Sequence, residues 1–248
     1  MKLSWIPSLI CSIVCVSHAQ EGKVAENLLK NSDRARGAIH QAGLQWKATV
    51  TTMEGGENSV REFKVQAKED DAYVEASAPA RNKGEIYIFN DRNMWFFKPS
   101  LKKPVSISPR QKLVGQASNG DIASTHYARD YTPQVEKVET DSSGGKVYVL
   151  MLTAKTKNLT YDKIRYWINE KTQLAIKAEF LTLQGKVFKI GTMKYDNKIT
   201  IKGETIPFVS ELTIVDAKFP DNKSVLVYGD PKVTMVSSSL FNVNNLTR

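Results

Sequence analysis

Period two dominates the chain. Leu44, Trp46, Ala48 and Val50 alternate with Gln45, Lys47 and Thr49. After the turn EGGEN, Phe63, Val65 and Ala67 alternate with Glu62, Lys64 and Gln66. Neighbouring side chains on a strand point to opposite faces, so this pattern predicts a half-buried β-hairpin. Strand-like runs continue near 71–78, 84–90, 93–98 and 104–108. They resume near 134–141, 145–154, 162–169, 173–183, 186–195, 197–203, 206–217 and 224–236. Turns such as Ser142-Ser143-Gly144-Gly145, Gln184-Gly185 and Pro220-Asp221-Asn222 separate them. Successive strands on short turns, without βαβ alternation, predict a large antiparallel meander in one domain.

Two stretches break the period. From Gly22 to Arg36 the apolar face of Val24, Ala25, Leu28 and Leu29 predicts a helix that stops at Gly37. In 109–133 the spacing predicts a helix from Asp121 to Arg129, with Asp121 as its cap. A long non-strand insertion in a meander serves either as a movable lid, here over 115–130, or as a helix plugging one end of a barrel. The run NMWFF at 93–97 raises a separate question, because it places aromatic rings on both faces of whatever sheet holds it.

The beginning of the chain changes the compartment. Lys2, the apolar run LSWIPSLICSIVCV and Ser17-His18-Ala19 have the form of a signal peptide cleaved after Ala19. This gives a leader over 1–19 and a single domain over 20–248. Cys11 and Cys15 both fall in the leader, so the exported domain has neither a thiol nor a disulfide. The formal charge of +9 in an exported protein argues against nucleic acid as a partner. An anionic membrane surface or an acidic partner remains open, as does a plainly solvated basic surface.

No catalytic signature emerges. His40 and His126 lie far apart and neither has a metal-ligand spacing. Ser100 and Lys103 match S-x-x-K, but within a proline-bounded turn rather than at the start of a helix. Glu69, Asp70 and Asp71 form a turn and not a paired acid and base. The expectation is a protein that is not an enzyme, with no cofactor and no metal. What remains is apolar surface on strands: Trp46, Val50, Phe63, Val65, Ile176, Phe180, Phe188, Ile190, Leu212 and Ile214. Such a face is either a conventional core, as between two packed sheets, or the lining of a lipid-sized cavity.

A family resemblance rests on IYIFNDRNMWFFKPSLKKPVSI. With Ile86, Ile88, Asp91, Trp95, Phe96, Phe97, Pro99, Leu101 and Ile107, it resembles the strand–turn–strand core of the outer-membrane lipoprotein-sorting proteins, the LolA-like family. The helix before Trp46, the insertion from Gly115 to Tyr131 and the ending DPKVTMVSSSLFNVNNLTR resemble that family as well. The family's arginine before a proline has no counterpart: Ala78 precedes Pro79, and Arg81 follows it. AYVEASAPARNKGE is more similar to the broader sorting-protein-like branch, whose members handle other lipids or assist membrane transporters.

The resemblance implies a mainly β fold with few helices: an incomplete, curved antiparallel β-barrel closed by a helical lid. It implies a monomeric periplasmic carrier that binds acyl chains of a lipoprotein or lipid, with the ten apolar residues as lining. An inner-membrane transporter and an outer-membrane acceptor would be its partners. The alternative is an accessory or sensor module of an envelope transporter or signalling system that uses the fold without shuttling cargo.

Overall fold

The computed structural model describes residues 11–39, 42–90, 92–123 and 126–246, with the backbone alone for 11–19. His40, Asp91 and residues 1–10 of the expected leader lie outside the described residues. The first helix, α1 (Cys11–Arg34), runs on through Ala19 and ends just before Gly37, whose φ of 111° suits glycine. No described helix is long and apolar enough to cross a membrane.

Strands follow in the order the alternation predicts. The first group is β1 (Gly43–Glu54), β2 (Glu57–Lys68), β3 (Asp71–Ala78), β4 (Ile86–Asn90), β5 (Asn93–Phe97) and β6 (Val105–Ile107). Gly55 and Gly56, at φ 60° and 83°, make the two-residue turn between β1 and β2, where both central positions need positive φ. The expected insertion contains the small hairpin β7 (Lys112–Val114) and β8 (Ala117–Ser118), a 3-10 turn at Asn119–Ile122 and the short helix α2 (Tyr127–Asp130). The second group begins with β9 (Tyr131–Thr140), β10 (Lys146–Ala154), β11 (Lys163–Asn169), β12 (Ala175–Leu181) and β13 (Val187–Lys194). It ends with β14 (Asn197–Ile201), β15 (Glu204–Phe208), β16 (Glu211–Asp216) and β17 (Lys223–Thr234).

Thirteen of these strands form one antiparallel sheet in the order β6-β5-β4-β3-β2-β1-β17-β16-β13-β12-β11-β10-β9. The first and last long strands pair in its middle, Ala48 opposite Tyr228 and Val50 opposite Leu226. The expected run 206–217 divides at Val209-Ser210, so that β14 and β15 form a separate hairpin. Val209 donates its backbone N–H to Ala35 O at 2.8 Å, and this hairpin is thereby tied to the end of α1.

The mainly β reading holds, but the expected curved barrel with its helical lid does not. The sheet is open: β6 and β9 are its edges, and no ladder joins them. β6 has only three residues before the chain leaves the sheet, and β9 carries Pro133 and exposed Glu136 and Lys137. Short, proline-bearing and charged edges resist further pairing. The predicted lid helix is also replaced. Ser118, not Asp121, opens the local turn, and the Asp121 carboxylate accepts the Ser118 backbone N–H at 2.8 Å. Gly115–Ala123 is buried or nearly so, which makes the segment a plug packed on the sheet.

Each face of the sheet has its own cover. The principal core joins the inner faces of β1–β5 and β9–β17 with Leu28 and Leu29 of α1 and with Ile122 and Tyr127 of the plug. At 93–97 the rings divide as alternation requires: Met94 and Phe96 face this core. Trp95 lies on the other side, in a cluster with Ile88 and Phe241 that the C-terminal 3-10 segment covers. That second cover accounts for the two-sided aromatic run.

Candidate functional site

The ten apolar positions read from the sequence do not share one environment. Trp46, Val50, Phe63, Val65, Phe180, Leu212 and Ile214 lie in the principal core, none more than 4% exposed. Phe188 is half-buried against it. Ile176 is 42% exposed and points the other way. The ladder passes from Trp167 opposite Lys177 to Ile168 opposite Ala175, which leaves Ile176 as the extra residue of a bulge. A bulge shifts the phase of every later side chain. Ile190 stands opposite Glu179 and Val215 on the outer face, while its neighbour Lys189 turns inward.

Lys189 belongs to a buried polar network that the alternation did not announce. Its ammonium donates to Gln116 O at 2.6 Å and to Ser118 Oγ at 3.2 Å. Tyr161, stacked on Phe180 with ring centroids 3.9 Å apart, donates its hydroxyl to Asp121 Oδ2 at 2.8 Å. Burial pushes the Asp121 carboxyl above its ordinary pKa, against the opposing pull of Lys189 and the Ser118 N–H. Burial likewise lowers the Lys189 pKa, because desolvation disfavours charge. This network holds the plug to the strands.

The opening lies elsewhere, at the end of the sheet where β1 begins and β17 finishes. A cleft of about 1330 Å³ separates the end of α1, the β2–β3 turn, α2, the β14–β15 hairpin and residues 233–236. Its apolar surface comes from Ile39, Ala42, Ile201, Val233, Met235 and Val236. Met235, the residue after β17, is 98% exposed, and Val233 near the strand's end is 40% exposed. Lys30, Arg34, Lys68, Arg129 and Lys202 give the cleft a basic rim against Asp33, Asp70 and Glu204. Two of these carboxylates are already engaged: Arg34 meets Glu204 at 3.1 Å, and Arg129 meets Asp70 at 2.9 Å.

Asp33 forms the inner wall and is 2% exposed. Its Oδ2 accepts the Ala128 backbone N–H at 2.7 Å, which joins α1 to α2. Burial raises its pKa to about 7, opposed by Ala128 and by the nearby Arg36 guanidinium. Arg36 lies 4.4 Å from the Tyr127 ring centroid and donates to Tyr166 OH at 3.3 Å. Among the described residues no group of three His, Cys, Asp or Glu is placed to hold a metal. An apolar floor under a basic rim can take an amphiphile with an anionic head.

Sequence reasoning missed this cleft because its walls come from segments far apart in the chain, none with a periodic signal of its own. A family model described as "-like: Uncharacterized protein" matches residues 68–248, most of the chain. The chain belongs to this family. No curated protein matches it. Among solved structures, it is similar to a LolA superfamily protein from Nitrosomonas europaea, with a TM-score of 0.78 and 29% identity over 89% of this chain and 98% of that one. It shares the fold of a DUF1329 family protein from Desulfovibrio piger, with a TM-score of 0.74 and 19% identity over 91% and 99% of the two chains. A domain described as outer membrane lipoprotein-sorting, from Vibrio parahaemolyticus, gives a TM-score of 0.74 and 18% identity over 92% and 100%. The fold of this family member therefore resembles that of the LolA, DUF1329 and lipoprotein-sorting structures.

Proposed function

We propose that the protein handles lipid or lipoprotein in the periplasm, holding an acyl chain in the cleft beside Met235 and passing it on toward the outer membrane unchanged. The observation that carries this reading is an apolar cleft wall in which Val233 and Met235 are exposed beside the buried Ile39 and Val236, beneath a basic rim. The likeness over nearly the full chain to a LolA superfamily protein supports it. Acyl chains are placed in the cleft and not against Trp46, Phe63 or Phe180, because those side chains already fill the sheet's inner face.

The affinity follows from area. A chain that buries about ten methylenes gains roughly 8 kcal/mol before ordering costs. The lysines and arginines of the rim would orient an anionic head without a covalent step. The test is binding of a fluorescent fatty acid to the exported domain, with Met235→Glu and Val233→Glu as variants. Saturable binding weakened at least about tenfold by either variant supports the reading. Absence of saturable binding, or binding by both variants equal to that of the wild type, overturns it.

A further inference from the structure

The opposite end of the β1–β17 ladder carries a second, independent surface. Leu183, in the β12–β13 turn, is 64% exposed, and Phe219, in the β16–β17 loop, is 55% exposed. The two loops are neighbours, because Lys189 pairs with Asp216 and Ala217 donates its N–H to Phe188 O at 3.1 Å. Neither tip is slack. Asp216 Oδ1 accepts the backbone N–H groups of Lys218 and Phe219 at 2.8 and 2.9 Å, and Gly185 N donates to Thr182 O at 2.9 Å. Internal bonds thus hold large apolar side chains out in water, where such groups are otherwise costly.

Charge surrounds them. Lys186 and Lys218 flank the two tips, and the Lys218 ammonium lies 5.0 Å from the Phe219 ring centroid. The β1–β2 turn joins this end through Gly55 N–H, which donates to Asn222 Oδ1 at 3.2 Å. Beyond it, the β3–β4 loop exposes Arg81 and Lys83, and the β5–β6 loop exposes Lys102 and Lys103. Opposing acids are few or occupied: Glu54 is paired with Lys112 at 2.8 Å and Glu85 with Arg61, while Asp221 and Glu57 are exposed.

We infer that this end docks on an anionic bilayer surface, with Leu183 and Phe219 entering the headgroup boundary and the basic loops lying on the phosphates. Isolated apolar tips ringed by lysines match a lipid interface, where apolar burial and attraction to anionic lipid add together. A protein interface would instead present a contiguous apolar centre. Docked this way, the cleft faces away from the bilayer.

Co-sedimentation of the exported domain with vesicles tests this. Vesicles of phosphatidylglycerol and phosphatidylcholine should pellet the protein, and phosphatidylcholine alone should not. Leu183→Ser with Phe219→Ser, and separately Lys186→Glu with Lys218→Glu, should each weaken pelleting at least about tenfold, and added salt should weaken it too. Met235→Glu should leave it unchanged, which separates this surface from the cleft. Failure to pellet with anionic vesicles, or equal pelleting of wild type and both double variants, overturns the inference. So does capture of an envelope protein through Leu183 without any vesicle binding.

Discussion

Ala128 donates its backbone N–H to the Asp33 carboxylate at 2.7 Å, joining the last turns of α1 to the helix that closes the plug. The carboxylate is buried and its pKa is raised to about 7, whereas the unfolded chain titrates at 3.8. Between these values the folded protein holds a proton that the unfolded chain has released. Stability therefore falls as pH rises from about 4 through about 7, by at most on the order of 4 kcal/mol. Denaturant midpoints from pH 5 to 8 should show this decline in the wild type and a flatter profile in Asp33→Asn. Parallel profiles would remove Asp33 as the cause.

The plug has a second fastening at Asp121. Tyr161→Phe deletes the 2.8 Å hydroxyl bond and leaves a buried carboxyl oxygen short of a donor, at a cost of roughly 1–3 kcal/mol. Lys189→Met removes the donor to Gln116 O and Ser118 Oγ together with the charge facing Asp121, and should cost about 3 kcal/mol. The double variant should cost less than the sum of the two, as measured by urea unfolding. Full additivity would mean that the two side chains do not act on one network.

Gly115 shows how closely the plug approaches the sheet. Its φ is 56°, and a methyl group there would come within 2.6 Å of Thr52 Cγ2 and 2.5 Å of Ser224 Oγ. Gly115→Ala should cost at least about 2 kcal/mol from left-handed strain and overpacking combined. A thermal midpoint equal to that of the wild type would show that the segment is free to shift.

The C-terminal cover predicts a separate loss. Phe241 is 2% exposed and packs in the cluster with Ile88 that Trp95 joins. Phe241→Ala should destabilise by roughly 3–5 kcal/mol, read from denaturant unfolding. It should also move the Trp95 emission to longer wavelength. An unchanged midpoint would show that Trp95 does not depend on this cover.

Much of the sheet was legible because alternation is local. Leu44 to Val50 and Phe63 to Ala67 read correctly: their mutual ladder is uninterrupted, and the extra residue opposite Gln45–Lys47 lies on β17. Ile176 and Ile190 read wrongly where alternation alone cannot register a bulge: extra residues at 176 and 188 change the phase and carry Lys189 inward. The helix expected from Asp121 failed because the distant Tyr161 hydroxyl and the local Ser118 N–H claim that carboxylate. The cleft had no local signature, since Ile39, Arg129, Lys202 and Met235 come together only on folding.

The central claim is acyl-chain binding in the cleft. Its most direct test is mass spectrometry of organic extracts from the protein purified out of the periplasm, with Met235→Glu prepared in parallel. The wild-type protein should carry a lipid or lipoprotein acyl species near one per molecule, and the variant much less. A wild-type protein that emerges empty, or a variant that carries the same lipid load, would contradict it.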